Sequence, residues 1–364
     1  MNRQQPRKPY HAISPEGPAT AGLDTPLMSA AATLCVILLV ITLTGCQRAP
    51  EAALDDYNER LARVLDVEEV PIPSAKIVPP KRPPRSDYAL SGSVLTVDLV
   101  SPLALKPCGV LPLIAARNAP MGKLATPSQH FLYQRELLHH LYRCPADTLT
   151  QEGNVLKESL LNQRRPKLDA WFARSLLLGD ELWFAIGAAA PSWQFGDVEH
   201  SEQALIALNR LREASEDLGQ ALAPGELERL LHRLHGSASI AGLHRTMLTT
   251  IGQLGGTLSL LQQAQTLPCD DPAVPILSNI LTQIYGKRVQ PLLSRIQQVD
   301  RTLSPPLRQL LHPWPKHPYF DFYLSEQEGS LRGHFYVRIR QHTEAWQALL
   351  QRCQRQPQAR GPNG

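Results

Sequence analysis

Seven apolar residues, Ile240, Leu243, Met247, Ile251, Leu254, Leu258 and Leu261, recur at steps of three or four between positions 237 and 265. Only a helix, with 3.6 residues per turn, sets such a series on one face; a strand would scatter it over two. A stripe of that length has to be buried against other helices, so the chain must fold as helix on helix. Gly236, Gly242, Gly252, Gly255 and Gly256 lower the intrinsic helix propensity of this region. They would permit a close helix–helix approach or a kink.

Shorter patterns agree. Glu51 to Asp66 reads as an amphipathic helix, with Leu54, Tyr57, Leu61, Val64 and Leu65 on one face and Asp56–Arg60 and Glu59–Arg63 as i,i+4 pairs. Pro127 and Ser128 open a helix to about Arg143. Another runs from about Thr150 until Pro166 interrupts it, and Glu199 to Leu218 follows, stopped at Gly219. Pro224 suits a first helical turn ahead of Leu227, Leu230, Leu231 and Leu234. Residues 274–300 are helical with a kink expected at Pro291. The last helix runs from about Phe335 to Cys353, with Ile339, Trp346, Leu349 and Leu350 inward. Residues 335–340 alternate enough to admit a strand instead. The expected fold is all-α, a multi-helix bundle-like domain over residues 91–353, with a polar, disordered tail over 354–364.

One stretch cannot be helical. Pro71, Pro73, Pro79, Pro80, Pro83 and Pro84 exclude a helix interior, so residues 67–90 read as an extended Pro-rich arm. As polyproline II its central part would reach ~60 Å at ~3.1 Å per residue. Either the 51–66 helix docks on the main domain and the arm is a surface loop, or the helix is free and the arm is a spacer. The apolar stripe of that helix needs a partner, which points to docking.

The N-terminus has a different logic. Arg3, Arg7 and Lys8 form a basic region, and an apolar run follows from Met28 to Leu43. That run falls short of the roughly 20 residues a membrane-spanning helix needs, and it suits the core of a secretory signal. It ends in Leu43-Thr44-Gly45-Cys46, which resembles the lipobox of bacterial lipoproteins. Small residues before the cut let an extended backbone enter a protease, and the Cys46 thiolate takes up diacylglycerol. Residues 1–45 are then a lipoprotein signal peptide and 46–50 a lipidated tether. Two or more acyl chains give stable anchoring. Gln47, where an Asp would retain an enterobacterial lipoprotein at the inner membrane, implies the periplasmic face of the outer membrane.

Six cysteines are present. Cys35 leaves with the signal and Cys46 is lipidated. Cys108, Cys144, Cys269 and Cys353 remain, and an oxidising periplasm allows three pairings. Cys108–Cys144 with Cys269–Cys353 is the sequential, shortest-loop choice. A zinc site is disfavoured: there is no CxxC, and only His140 lies near a cysteine, Cys144.

Tyr57-Asn58-Glu59-Arg60-Leu61-Ala62-Arg63-Val64-Leu65 follows closely after Cys46. Cys108 is followed by Leu113-Ile114-Ala115-Ala116-Arg117-Asn118 and then Gly122. Ser128 opens a helix ending at Cys144, and His342, Trp346, Leu350 and Cys353 lie near the end. Together these resemble a family of uncharacterised gammaproteobacterial lipoproteins, a domain of unknown function covering most of the mature chain. The resemblance implies location and overall build, and no reaction. Where that family's pattern has Ser after Arg-Asn, this chain has Ala119.

Chemistry-bearing motifs are sparse. GxSxG, HExxH, Walker and GxGxxG patterns are absent from the sequence, so no catalytic residue, metal or cofactor is assigned. His232 and His235 can face one way on a helix near His244, but no carboxylate completes a metal shell, and a solvated pair is expected. His139 and His140 point in different directions. Arg117 and Asn118 form the best polar candidate for binding. Asn118 would cap a helix in the left-handed conformation before Pro120, and Arg117 would be presented to an anionic group. Residues 312–323 carry the densest aromatic run, expected as a buried irregular loop rather than an exposed partner surface. With 37 basic against 33 acidic residues and no basic stripe, nucleic acid is not an expected partner. The sequence leads to a membrane-anchored periplasmic lipoprotein, non-catalytic, binding or scaffolding an envelope protein. A binder of a lipid or other apolar ligand between helices is the alternative, and an unrecognised hydrolase is less favoured.

Overall fold

Fourteen α-helices follow one another among the described residues, with no strand among them. The computed structural model describes residues 51–68, 77–88, 101–187, 195–311 and 317–354. Cys46 and the lipobox, residues 69–76 and 89–90 of the Pro-rich arm, residues 312–316 of the aromatic run and the tail from 355 lie outside them.

The helices are α1 Glu51–Val64, α2 Leu111–Asn118, α3 Pro120–Lys123, α4 Pro127–Arg143, α5 Gln151–Arg164, α6 Leu168–Leu178 and α7 Glu181–Ile186. They continue with α8 Val198–Glu216, α9 Glu226–Ser237, α10 Ser239–Ala264, α11 Ala273–Ile280, α12 Gln290–Leu311, α13 Pro318–Leu324 and α14 Leu331–Arg352. Helix starts are chemically marked. Thr126 and Gln129 form a capping box at α4. Thr150, Asp197 and Ser330 accept from the backbone N–H groups of Gly153, His200 and Gly333 at the starts of α5, α8 and α14.

The long stripe sits where its length demands. In α10, Ile240, Leu243, Met247, Ile251, Leu254 and Leu261 are buried, Leu258 is half-buried, and the helix packs along α14. Gly242, Gly255 and Gly256 are buried with it, whereas Gly236 and Gly252 face open space. The α1 helix docks on α10: Leu54, Tyr57 and Leu61 are fully buried in the main core. The Asn58 side chain donates to the Gln253 carbonyl and accepts from Thr257 Oγ1, and Asp56 pairs with Arg288. The arm therefore leaves after a docked helix. Its described part lies on the domain: Pro83 is buried, Ile77 packs on the core and the Arg82 guanidinium sits 4.2 Å from the Trp183 ring centroid. It is not extended to its end, because Arg85–Tyr88 closes a 3₁₀ turn.

A smaller core gathers Leu105, Val110, Ile114, Leu137, Leu141 and Leu160 around the Cys108–Cys144 disulfide. The second disulfide, Cys269–Cys353, ties the loop after α10 to the end of α14, so the expected pairing is the observed one.

Residues 335–340 lie inside α14, the helix expected there and not the alternative strand, and Phe335 and Trp346 face the core. Three expectations change. The aromatic run is buried as expected, but its described part is a helix, α13. Pro318 opens that helix, and Tyr319, Phe320, Phe322 and Tyr323 pack inward. Pro224 stands before α9 and not in its first turn, since Gly225 takes φ +69° and reverses the chain first. Asn118 ends α2 within the helix, and Ala119, extended at φ −63° and ψ 157°, makes the break that Pro120 requires of its predecessor.

The kink expected at Pro291 takes the form of a π-helical stretch, Leu281–Val289, in which the Gln290 N–H bonds the Tyr285 carbonyl. Pro291 lacks an N–H and its ring would collide with a carbonyl four residues back in an α-helix. The wider turn relieves that, and it brings Tyr285 against Tyr57 and His342, with ring centroids 5.6 and 4.5 Å apart.

Candidate functional site

Three buried polar assemblies gather charged and aromatic side chains that the helices turn inward. In the first, the Trp346 indole N–H donates to the Tyr57 hydroxyl at 2.7 Å, and that hydroxyl lies 3.0 Å from His342 Nε2. Indole only donates, so the Tyr57 hydroxyl accepts from Trp346 and keeps its own proton to offer a neutral His342 whose Nε2 is the acceptor. Burial agrees: it pushes the His342 imidazole down to about 4 and the Tyr57 phenol well up. In the second, Asp300, 1% exposed, accepts from Arg332 at 2.8 and 2.9 Å, from Ser304 at 2.6 Å and from Tyr336 at 3.3 Å. In the third, Arg135 donates to the carbonyls of Ser215, Asp217 and Gln220 at 2.5–2.7 Å, closing the end of α8. His139 and Arg143, one and two turns on, reach Leu218 and Gly219 of the same loop. These assemblies are partnered by protein groups, apart from Arg135 Nη1, which is buried without a hydrogen-bond partner, and they hold the helices together.

The other sequence candidates separate. His232 and His235 are exposed on α9, while His244 is buried on α10 with its Nδ1 2.6 Å from the Ile186 carbonyl. Among the described residues no group of three or more His, Cys, Asp or Glu side chains is placed to hold a metal. His140 faces Glu136, away from His139. The imidazoles bond to carbonyls, carboxylates, a backbone N–H or Tyr57, and none to a serine, among the described residues.

Arg117 stands apart from these. It lines a cavity of about 340 Å³ between the first half of α4 and the length of α6, closed at one side by the α2–α3 turn. Its neighbours there include His130, Phe131, Trp171, Arg174 and Leu178. Asn118, its sequence companion, is exposed and does not line the cavity.

Local folding explains why these residues meet. His130 and Gln134 lie one turn apart on α4, and Trp171, Arg174 and Leu178 keep 3–4 spacing on α6, so each helix offers one stripe to the gap. Phe131 packs edge-on against Phe172, ring centroids 5.2 Å apart, which sets the floor. Gly122 is required at the α3 turn: a Cβ there would collide with the carbonyls of Ala116 and Arg117. That turn lets the Gly122 carbonyl accept from Arg117 Nη1 at 2.5 Å, fixing the guanidinium at the rim.

The cavity is cationic. Neither Arg117 nor Arg174 pairs with a carboxylate among the described residues, and the Arg174 Nε is buried without a hydrogen-bond partner there. Burial, and then the positive charges of Arg117 and Arg174, hold the His130 imidazole below its usual range. Gln134 is already committed, accepting from Arg164 at 2.6 Å. The remaining walls are apolar. No hydroxyl, thiol or carboxylate side chain lines the space. Such a lining can bind and orient a ligand.

Of the residues here, Arg117 was visible in sequence. His130, Trp171 and Arg174 were not, since each reads as the polar or boundary position of an amphipathic helix.

Comparison with known proteins gives one match: residues 54–357 fit the family described as "Protein of unknown function (DUF3080)". Neither the curated proteins nor the solved structures include a match.

Proposed function

We propose that this chain, which belongs to the DUF3080 family, is a lipid-anchored envelope lipoprotein whose helical domain acts by binding rather than by catalysis. The observation that carries the reading is the docked α1, which starts at Glu51, directly after the lipobox-like Leu43-Thr44-Gly45-Cys46. The Pro-rich arm lies beyond that helix and so does not separate anchor from domain. A tether from Cys46 to Glu51 spans at most about 17 Å when fully extended. Acylation at Cys46 would therefore hold the domain against the bilayer, where an envelope protein or a membrane component is the partner within reach. Among the described residues no helix is long and apolar enough to cross a membrane, and the proposed attachment is through lipid. Gln47 directs the proposal to the outer membrane, periplasmic face.

Replacing the acylated residue tests it. Cys46→Ser should move the protein from the membrane pellet to the soluble fraction, and the unsubstituted protein should band with outer membranes on a density gradient. Unchanged fractionation of the variant would remove the anchor from the reading.

A second reading, a binder of an apolar ligand between helices, is favoured by the cavity between α4 and α6, whose walls Phe131, Trp171 and Leu178 are apolar.

A further inference from the structure

We infer that the cavity between α4 and α6 binds an oxyanion carried on an apolar body, a carboxylate or phosphate amphiphile, held by Arg174 and Arg117. This deepens the binding role proposed above and rests on that role, though not on the lipid anchor.

Four observations converge. Arg117 and Arg174 bring two permanent positive charges to one small space with no carboxylate to answer them. Arg174, half-buried, has a buried Nε whose hydrogen bond is unmade, and a guanidinium fork is matched by the paired oxygens of a carboxylate or phosphate. Trp171, Phe131 and Leu178 line the same space, so a fully hydrated inorganic anion would leave the apolar walls unsatisfied. The segment that closes the rim carries Met121 and Leu124, which are 78% and 79% exposed. Exposed apolar side chains between Arg117 and Ala125, two residues of the lining, suit a chain that runs out of the cavity.

Size sharpens the class. At about 340 Å³ the cavity is at the small end of the ~300–1,000 Å³ typical of ligand pockets. It accommodates a head group and the first carbons of a chain; a longer chain would have to continue over Met121 and Leu124. Charge fixes the order: the head lies between Arg117 and Arg174 and the chain leaves along Trp171. His130, kept neutral by burial and by the two arginines, would be free to donate to the head and would gain a proton more readily once the anion is present.

The test uses the full chain carrying Cys46→Ser and four probes: octanoate, octyl phosphate, octyl glucoside and inorganic phosphate. Calorimetry should show saturable binding of octanoate, octyl phosphate or both, and neither of the other two. Which of the first two binds assigns the head group as carboxylate or phosphate monoester. Arg174→Gln should weaken that binding by about tenfold to a hundredfold, the range for losing a charge-assisted hydrogen bond, and Arg174→Lys should weaken it less. Should Arg174→Gln fail to fold, the native pocket still reports: ligand should raise the titration midpoint of His130 followed by NMR. Equal binding of octyl glucoside, or inorganic phosphate binding as tightly as octyl phosphate, would overturn the inference. So would a folded Arg174→Gln that binds unchanged, an unmoved His130, or no binding by any probe. Octyl phosphate recovered as octanol and phosphate would leave the pocket assignment standing and overturn the non-catalytic role.

Discussion

Lowering the pH from 7.5 to 5 should destabilise this domain through two buried histidines. His342 and His244 are 1% and 3% exposed, and both are held down to about 4, chiefly by burial. Their surroundings cannot rescue the charged form. His342 touches Tyr57 and Tyr285 and is linked through Tyr57 to Trp346, none of which is ionised near neutrality. His244 stacks at 4.8 Å on Tyr323 and contacts the Ile186 carbonyl; the negative charge of Asp300 acts on it more weakly than burial does. In the unfolded chain each imidazole takes a proton at its ordinary value of ~6.5. Between ~6.5 and about 4 the unfolded state therefore binds protons that the native state refuses, and stability falls as pH falls. The contribution is complete above ~6.5. At pH 5 the loss is about 2 kcal/mol for each histidine, so ~4 kcal/mol for the pair, a large part of a domain's usual margin of ~5–15 kcal/mol. Urea unfolding at pH 7.5 and pH 5.0, followed by far-UV circular dichroism, measures it. His342→Gln should lower stability at pH 7.5 and flatten the pH dependence by about half. Equal unfolding free energies at the two pH values, or a His342→Gln protein that keeps the full dependence, would refute the argument.

The other expectations are simpler. The loops closed by the disulfides span 36 and 84 residues, so the chain-entropy relation gives about 4 and about 5 kcal/mol, and the Cys269→Ala/Cys353→Ala pair should cost more than Cys108→Ala/Cys144→Ala. Paired urea titrations rank them, and non-reducing peptide mapping that links Cys144 to Cys269 would contradict the connectivity. Asp300→Asn leaves Arg332 facing a neutral amide inside the core and should destabilise by about 3–5 kcal/mol in thermal melts. A variant that melts with the unsubstituted protein would show that Glu326, the other partner of Arg332, suffices.

How much was legible divides by residue. The series from Ile240 to Leu261 has a single physical solution, and α10 is that solution. The stripe of Leu54, Tyr57 and Leu61 required a partner, and α10 supplies it. Arg117 drew notice as a cation beside a helix break, but the break belongs to Ala119 and the cation serves the cavity, not a cap with Asn118. Arg135, Asp300 and His342 look like polar-face residues in sequence. They are buried because groups that satisfy them come from far along the chain, 32 positions away for Arg332 and Asp300 and 285 for Tyr57 and His342.

The sequence by itself determined the all-helical class, the place where the chain cannot be helical, a preferred pairing of four cysteines and the direction in which the long apolar stripes must face. These follow from local periodicity, from proline's missing N–H and from short-loop closure. Tertiary structure alone decided which polar side chains are saturated and which are left over. Satisfaction of a buried donor depends on what another helix brings to it. Arg135 finds three carbonyls on the α8 loop for its Nε and Nη2 and leaves only Nη1 unpartnered, whereas Arg174, on an equally ordinary amphipathic helix, lines a cavity with its Nε unpartnered.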